Sequence, residues 1–210
     1  KTHFIVNGFH ELKLVWNQVK KMSVLKRYLG AFFFYSMGVQ TVMLCAIDFG
    51  IKVLKLEDQK LIITAVIIQF VAIAGAILIS KLSAVIGNFK TLIVCVALWI
   101  VICISGYNIS TEIQFYLLAS LVGLIMGGIQ SLSRSTYSKL LPETKDTASF
   151  FSFYDVTEKL SIVIGLFSFG FIEGITNDMR KSLLALIVFF IIGLLFLIAA
   201  NISSNMKKQL

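Results

Sequence analysis

Long stretches without a single Asp, Glu, Lys or Arg alternate along this chain with short clusters of charge. Residues 28–47, 61–80, 91–111, 113–133 and 182–206 are uncharged throughout. Each is long enough to cross a hydrocarbon core of about 30 Å as a helix. A sixth stretch, 148–174, is apolar apart from Asp155, Glu158, Lys159 and Glu173. Helices packed into a water-soluble core would show polar faces, which these blocks lack. Barrel strands would be shorter and would alternate apolar with polar positions, and these do not. The pattern predicts an all-α membrane protein, a six-transmembrane-helix bundle with spans near 28–49, 61–80, 91–107, 115–133, 148–174 and 182–201. Residues 1–27 form a connector and 202–210 a tail.

The connector has its own period. Phe9, Leu12, Val15/Trp16, Val19 and Met22 recur every three to four residues, with Glu11, Lys13, Lys20 and Lys21 on much of the opposite face. This predicts an amphipathic helix, lying along the inner membrane surface or docking on a partner. The opening Lys1 reads as the start of a fragment or of a processed chain.

Composition agrees with the pattern: 58% of residues are hydrophobic and 14% charged. The net charge of +8 does not require nucleic acid, because the cations sit between spans. With six spans, thirteen of the nineteen basic residues fall on the side of both termini and five on the other. The positive-inside rule then puts both termini in the cytoplasm, in the cell membrane or, in a eukaryote, a vacuolar-type membrane. Cys45, Cys95 and Cys103 lie inside spans, and His3 and His10 lie near the start. No disulfide framework, metal site, cofactor or nucleophile–base pair can be assembled from them, so the chain reads as no enzyme.

The polarity of the spans repeats. "YSMGVQTVM" (35–43) in the first span is echoed by "LIMGGIQSLS" (124–133) in the fourth. Three spans separate them, so the two elements cross in opposite directions, as an inverted repeat of three plus three helices requires. Spans one and four carry polar stripes, two and five are intermediate, and three and six are apolar nearly all round. That ordering predicts that three and six face lipid while the striped faces turn inward.

On the first span Ser36, Met37, Gln40, Thr41, Cys45 and Asp48 share a face; on the fourth, Ser120, Gly123, Gly127, Gln130 and Arg134 do. Gln40, Thr41, Asp48, Gln69, Gly127 and Gln130 are candidates to line a solute cavity. The glutamines also suit hydrogen bonding between helices, and the glycines suit close packing. Arg134 fits an interfacial anchor or a gate. Asp155 and Lys159 stand at i, i+4 with Glu158 beside them, either wet at the interface or forming a gate and coupling network with Arg134. Pro142 is expected to end the fourth helix, with Asp146 or Thr147 capping the fifth.

From about Gly8 to Ala200 the chain resembles the C-terminal six-helix half of a major facilitator superfamily transporter, in the vacuole-effluxer-like branch. The resemblance rests on "FFFYSMGVQT" (32–41), "VGLIMGGIQSLSRSTYSKLLPET" (122–144) and "SFFSFYDVTEKLSIVIG" (149–165). Gly127, Gly128, Gln130, Ser133, Arg134, Ser135, Pro142, Phe150, Phe151, Phe153 and Tyr154 match the family pattern. Three positions depart from it. Met37 stands where an acid is common, Leu166 where a proline is common, and Ala84 and Val85 replace the acid–arginine pair of the superfamily's short loop. The resemblance implies a secondary active transporter moving small solutes, with outward amino-acid transport as the finer expectation, by alternating access. Its implied partners are an N-terminal six-helix half, the lipid bilayer and a small-molecule solute, with no nucleic acid. The alternative is a non-transporting membrane scaffold or sensor that retains the fold. A transporter made of two copies is opposed by the strong charge bias between the two sides.

Overall fold

A computed structural model describes residues 2–143 and 146–209. The helices are α1 (Thr2–Lys21), α2 (Ser23–Leu54), α3 (Asp58–Ile86), α4 (Asn88–Asn108), α5 (Glu112–Leu140), α6 (Thr147–Thr176) and α7 (Met179–Gln209). Among the described residues there is no strand. Six helices, α2 to α7, are long and apolar enough to cross a membrane. At 1.5 Å per residue α2, with 32 residues, is about 48 Å long, so its charged ends reach past the hydrocarbon.

Each break has a local cause. Gly87, at φ +87°, separates α3 from α4 in a backbone region closed to most side chains. Lys55 and Asn177 end α2 and α6 in the left-handed region, at φ 52° and 49°. Thr111 and Gln114 form a capping box that starts α5. As the sequence predicts, α5 stops just ahead of Pro142, and the Asp146 side chain caps α6 by accepting from Ser149 N–H at 3.3 Å.

The helices pack as two interlocked triplets. α2 lies on α7 and α6, and α5 lies on α4 and α3; α3 meets α4 as α6 meets α7. The pairs α4/α7 and α2/α5 join the triplets. Exchanging α2–α4 for α5–α7 leaves this set of neighbours unchanged, which is the inverted three-plus-three repeat in three dimensions. Two glycines ninety residues apart mark equivalent crossings. A Cβ on Gly75 of α3 would fall 1.9 Å from the Leu124 carbonyl oxygen of α5, and one on Gly165 of α6 would fall 2.6 Å from that of Met37 on α2. Both crossings are at backbone contact and require the absence of a side chain.

Arg27 of α2 donates to Ala199 O of α7 at 3.2 Å and also to Ser203 Oγ, so both termini share one end of the bundle, called here the terminal end. At the opposite, loop end, Lys52 pairs with Glu173 at 2.9 Å and Lys60 with Glu112 at 2.5 Å. These pairs tie α2 to α6 and α3 to α5.

The helices are unequally covered within the chain. The third and sixth spans, α4 and α7, make close contact with one another inside this chain. Trp99 of α4 and Phe190 of α7 are fully buried and stacked, with ring centroids 5.8 Å apart. It is α3 and α6 that are mostly uncovered, with Phe70, Phe167 and Ile175 well exposed. Apolar surface all round serves helix–helix packing as well as lipid. Part of the apolar stripe of α1 meets protein. Val15 and Val19 are buried, and Trp16 stacks on Phe153 of α6 at 6.0 Å. The helix docks on α6 and α2, with Trp16 still partly exposed.

Candidate functional site

A cavity of about 850 Å³ opens among α2, α5 and α6 in their terminal-end halves. On α2, Phe32, Tyr35, Ser36, Val39 and Gln40 line it at helical spacing, so one stripe of that helix forms a wall. On α5 the wall runs from Ile129 through Gln130, Ser131, Ser133 and Arg134 to Ser138. On α6 it is Phe151, Tyr154 and Glu158, at i, i+3 and i+7. The volume is that of an ordinary small-molecule site.

Two polar links cross this space. Gln40 Nε2 donates to Glu158 Oε1 at 3.1 Å, joining α2 to α6. Nearer the mouth, Arg134 pairs with Asp155, joining α5 to α6, and both side chains remain about half exposed. The Arg134 guanidinium also lies 5.9 Å from the Phe151 ring centroid and 5.7 Å from that of Tyr154. Rings on one side and a carboxylate on the other fix its orientation.

Beneath the cavity Ser133 is a buried junction. Tyr28 OH donates to its carbonyl oxygen at 2.7 Å, Tyr35 OH and Ser133 Oγ lie 2.7 Å apart, and Ser133 Oγ donates back to Ile129 O at 2.5 Å. These bonds hold α2 to α5 where their apolar contact is sparse. Tyr154 stacks on Phe32 at 4.1 Å and lies 4.8 Å from Tyr137, whose hydroxyl donates to Phe150 O at 2.7 Å. The wall carrying Glu158 is therefore stiff.

Of the residues singled out from sequence, Gln40, Gln130, Arg134 and Glu158 meet at this cavity, and Asp155 joins through Arg134. The others lie elsewhere. Thr41 is fully buried against Gly165, where a Cβ would come 2.4 Å from its Oγ1, and that oxygen makes no hydrogen bond among the described residues. Asp48 is exposed two turns further toward the loop end. Gln69 is exposed on α3 and borders a separate cleft of about 170 Å³ with Thr64 and Ile68. A Cβ on Gly127 would fall 2.1 Å from Ala72 O, so this glycine serves helix packing. Lys159 points outward, and Asp155 takes Arg134 as its partner instead. Thr41 and Lys159 each follow a cavity residue, Gln40 and Glu158, by one position, about 100° around the helix.

Charge and amide side chains alone do not point to Phe32 and Tyr35, which finish the site together with the motif residues Ser133 and Tyr154. A signal was present. "FFFY" on α2 and "FFSFY" on α6 both place a tyrosine at the end of a phenylalanine cluster. The motif residues Gln130, Ser133, Arg134, Ser135, Phe151 and Tyr154 all fall on the cavity wall.

The model of the family described as "Vacuole effluxer Atg22 like" matches residues 1–210. The chain belongs to that family. It is 29% identical over 209 residues to the "Uncharacterized MFS-type transporter YxiO" of Bacillus subtilis (strain 168), covering 99% of this chain and 48% of that protein. It is 28% identical over 210 residues to "Autophagy-related protein 22" of Yarrowia lipolytica, covering 93% of this chain and 35% of the relative. The chain thus spans about half the length of the bacterial relative, or less of the fungal one. No solved structure matches it. Family and fold together make this a multi-pass membrane protein of the major facilitator type.

Proposed function

We propose that this chain is one wall of a secondary active transporter and that the α2/α5/α6 cavity holds the transported solute. The observation that carries the reading is the Gln40–Glu158 bond across a cavity between otherwise apolar helices. Polar groups at that depth are costly unless they face water, a partner or a ligand. A second six-helix half closes the open side, and rocking of the halves exposes the site to each compartment in turn. The uncovered apolar faces of α3 and α6 flank the cavity and suit such a partner.

The solutes we assign are small and polar, amino acids foremost, moved outward. Serine hydroxyls and two glutamines supply adaptable hydrogen bonds, and Phe32, Phe151 and Tyr154 supply apolar contact. Both termini lie in the cytoplasm, so the cavity opens inward in this conformation.

The test is solute flux in liposomes containing the complete protein. Gln40→Ala and Gln130→Ala are expected to slow it by about tenfold each, the worth of one hydrogen bond to a polar or charged group. Wild-type flux in both variants refutes the assignment of the site.

A further inference from the structure

The two close crossings give the register of the repeat. Gly75 of α3 and Gly165 of α6 stand 90 positions apart, and the carbonyls they meet, those of Met37 on α2 and Leu124 on α5, stand 87 apart. Shifted by these amounts, Phe151, Tyr154 and Glu158 of the solute cavity fall on Leu61, Thr64 and Ile68 of α3. Gln130, Ser133 and Arg134 fall on Met43, Ala46 and Ile47 of α2. All six counterparts line the cleft of about 170 Å³ between α2, α3 and α5. That cleft is therefore the inverted-repeat image of the cavity, in the loop-end half of the bundle.

The image lacks the chemistry of the original. Ile68 answers Glu158, Met43 answers Gln130 and Ala46 answers Ser133; the Arg134–Asp155 pair is answered by Ile47 and Ala65. Thr64 gives its hydroxyl to Lys60 O of its own helix at 2.8 Å. Gln69, the one amide of the lining, is exposed. The pair Lys60–Glu112, which ties α3 to α5, lies outside the lining. Among the described residues no hydrogen bond or ion pair joins two side chains of the cleft wall.

The remaining wall explains why the image is also smaller. Ser36 and Gln40 of α2 line the cavity, and Gln40 reaches across it to α6. Their counterparts on α5 are Gly123 and Gly127. A Cβ there would fall 2.7 Å from Ile68 O and 2.1 Å from Ala72 O of α3. Side chains stand between α2 and α6 at one end; at the other, their absence lets α3 close on α5 at backbone contact.

We infer that the α2/α3/α5 cleft is the loop-end passage for the solute, held shut by apolar packing rather than by a hydrogen bond or an ion pair while the cavity faces the terminal end. The inference rests on the transporter reading above and adds the residues of the second gate and their chemistry. An apolar constriction too narrow to be wetted stops water and polar solutes without a charged latch. The two ends of the bundle are thus closed differently: a polar network serves the terminal end and a dry one the loop end.

The experiment uses the complete transporter with Cys45, Cys95 and Cys103 replaced by serine and Gln130→Cys as a reporter of the cavity. A membrane-impermeant thiol reagent is applied from the loop-end side. Ile47 and Ile68 are each replaced by asparagine and by leucine, which are alike in shape and differ in polarity. Ile47 is 52% exposed, so its replacement spares the fold even where that of Ile68 does not. Ile47→Asn and Ile68→Asn are expected to speed the reporter's reaction about tenfold over Ile47→Leu and Ile68→Leu, the scale on which an amide alters apolar surroundings. Equal rates in the asparagine and leucine variants at both positions overturn this inference and leave the transporter reading standing. A wild-type protein that moves none of the twenty standard amino acids in liposomes overturns both.

Discussion

Gly165 of α6 rests against the carbonyl oxygen of Met37 on α2, so closely that a Cβ there would come within 2.6 Å of it. Glu158 lies two turns nearer the terminal end on the same face of α6. The close crossing is what brings its carboxylate within reach of Gln40 at 3.1 Å. Packing at one level thus sets polar geometry at the next.

Gly165→Ala is therefore expected to destabilise the protein by about 1–3 kcal/mol, the usual cost of overpacking. The obstructing atoms are a backbone carbonyl and the buried Thr41 Oγ1. Gly30→Ala is the control. Its Cβ would meet the flexible ring of Phe196 at 3.3 Å, and a small effect is expected. Thermal unfolding in detergent separates the two; equal midpoints contradict the backbone-contact account.

Gly87→Ala tests a different mechanism. At φ +87° and ψ 156° the α3–α4 turn occupies a region that side chains disfavour, although nothing stands within 4 Å of a Cβ. A loss of about 1–3 kcal/mol is expected from backbone strain alone. An unchanged unfolding midpoint shows that the turn adapts.

The Ser133 junction predicts a modest effect on stability. Tyr28→Phe removes the donor to Ser133 O, and Tyr35→Phe removes the partner of Ser133 Oγ. Each is expected to cost about 0.6–1.7 kcal/mol, the measured scale for such bonds between membrane helices. Additivity of the pair, checked by a double-mutant cycle, would show that the two bonds act separately; coupling is the expected result because both end on one serine.

Arg134→Ala is expected to do the reverse, lowering flux by about tenfold while shifting stability by under about 1 kcal/mol. Its partner Asp155 and its own side chain are half exposed, so water replaces much of what the pair supplies. A large loss of stability with normal flux would make Arg134 a structural anchor.

Much of this architecture was legible before any coordinates. The uncharged blocks located six spans, because lipid tolerates only helices with internally satisfied backbones. The echo between Met37–Gln40 and Met126–Gln130 located the repeat. What periodicity failed to resolve was rotation about each helix. Gln40 and Thr41 are adjacent, yet one reaches the cavity and the other is buried against Gly165. Gln69 looks as polar as Gln130 in sequence, but α3 turns it toward its own small cleft. Neighbouring positions differ by about 100° around a helix, and only the contacts of α2 with α6 and of α5 with α3 fix which way each points. Lipid-facing and protein-facing apolar surfaces also look alike in sequence, so the stacking of Trp99 on Phe190 between α4 and α7 was not legible there.

The central claim is that water reaches the faces of α2 and α5 bearing the two glutamines. In the complete protein with Cys45, Cys95 and Cys103 replaced by serine, cysteines at 40 and 130 are tested with a membrane-impermeant thiol reagent applied from each compartment. The account predicts that both sites react, and that added solute protects them. Two inert cysteines in a folded protein, from either side, contradict it.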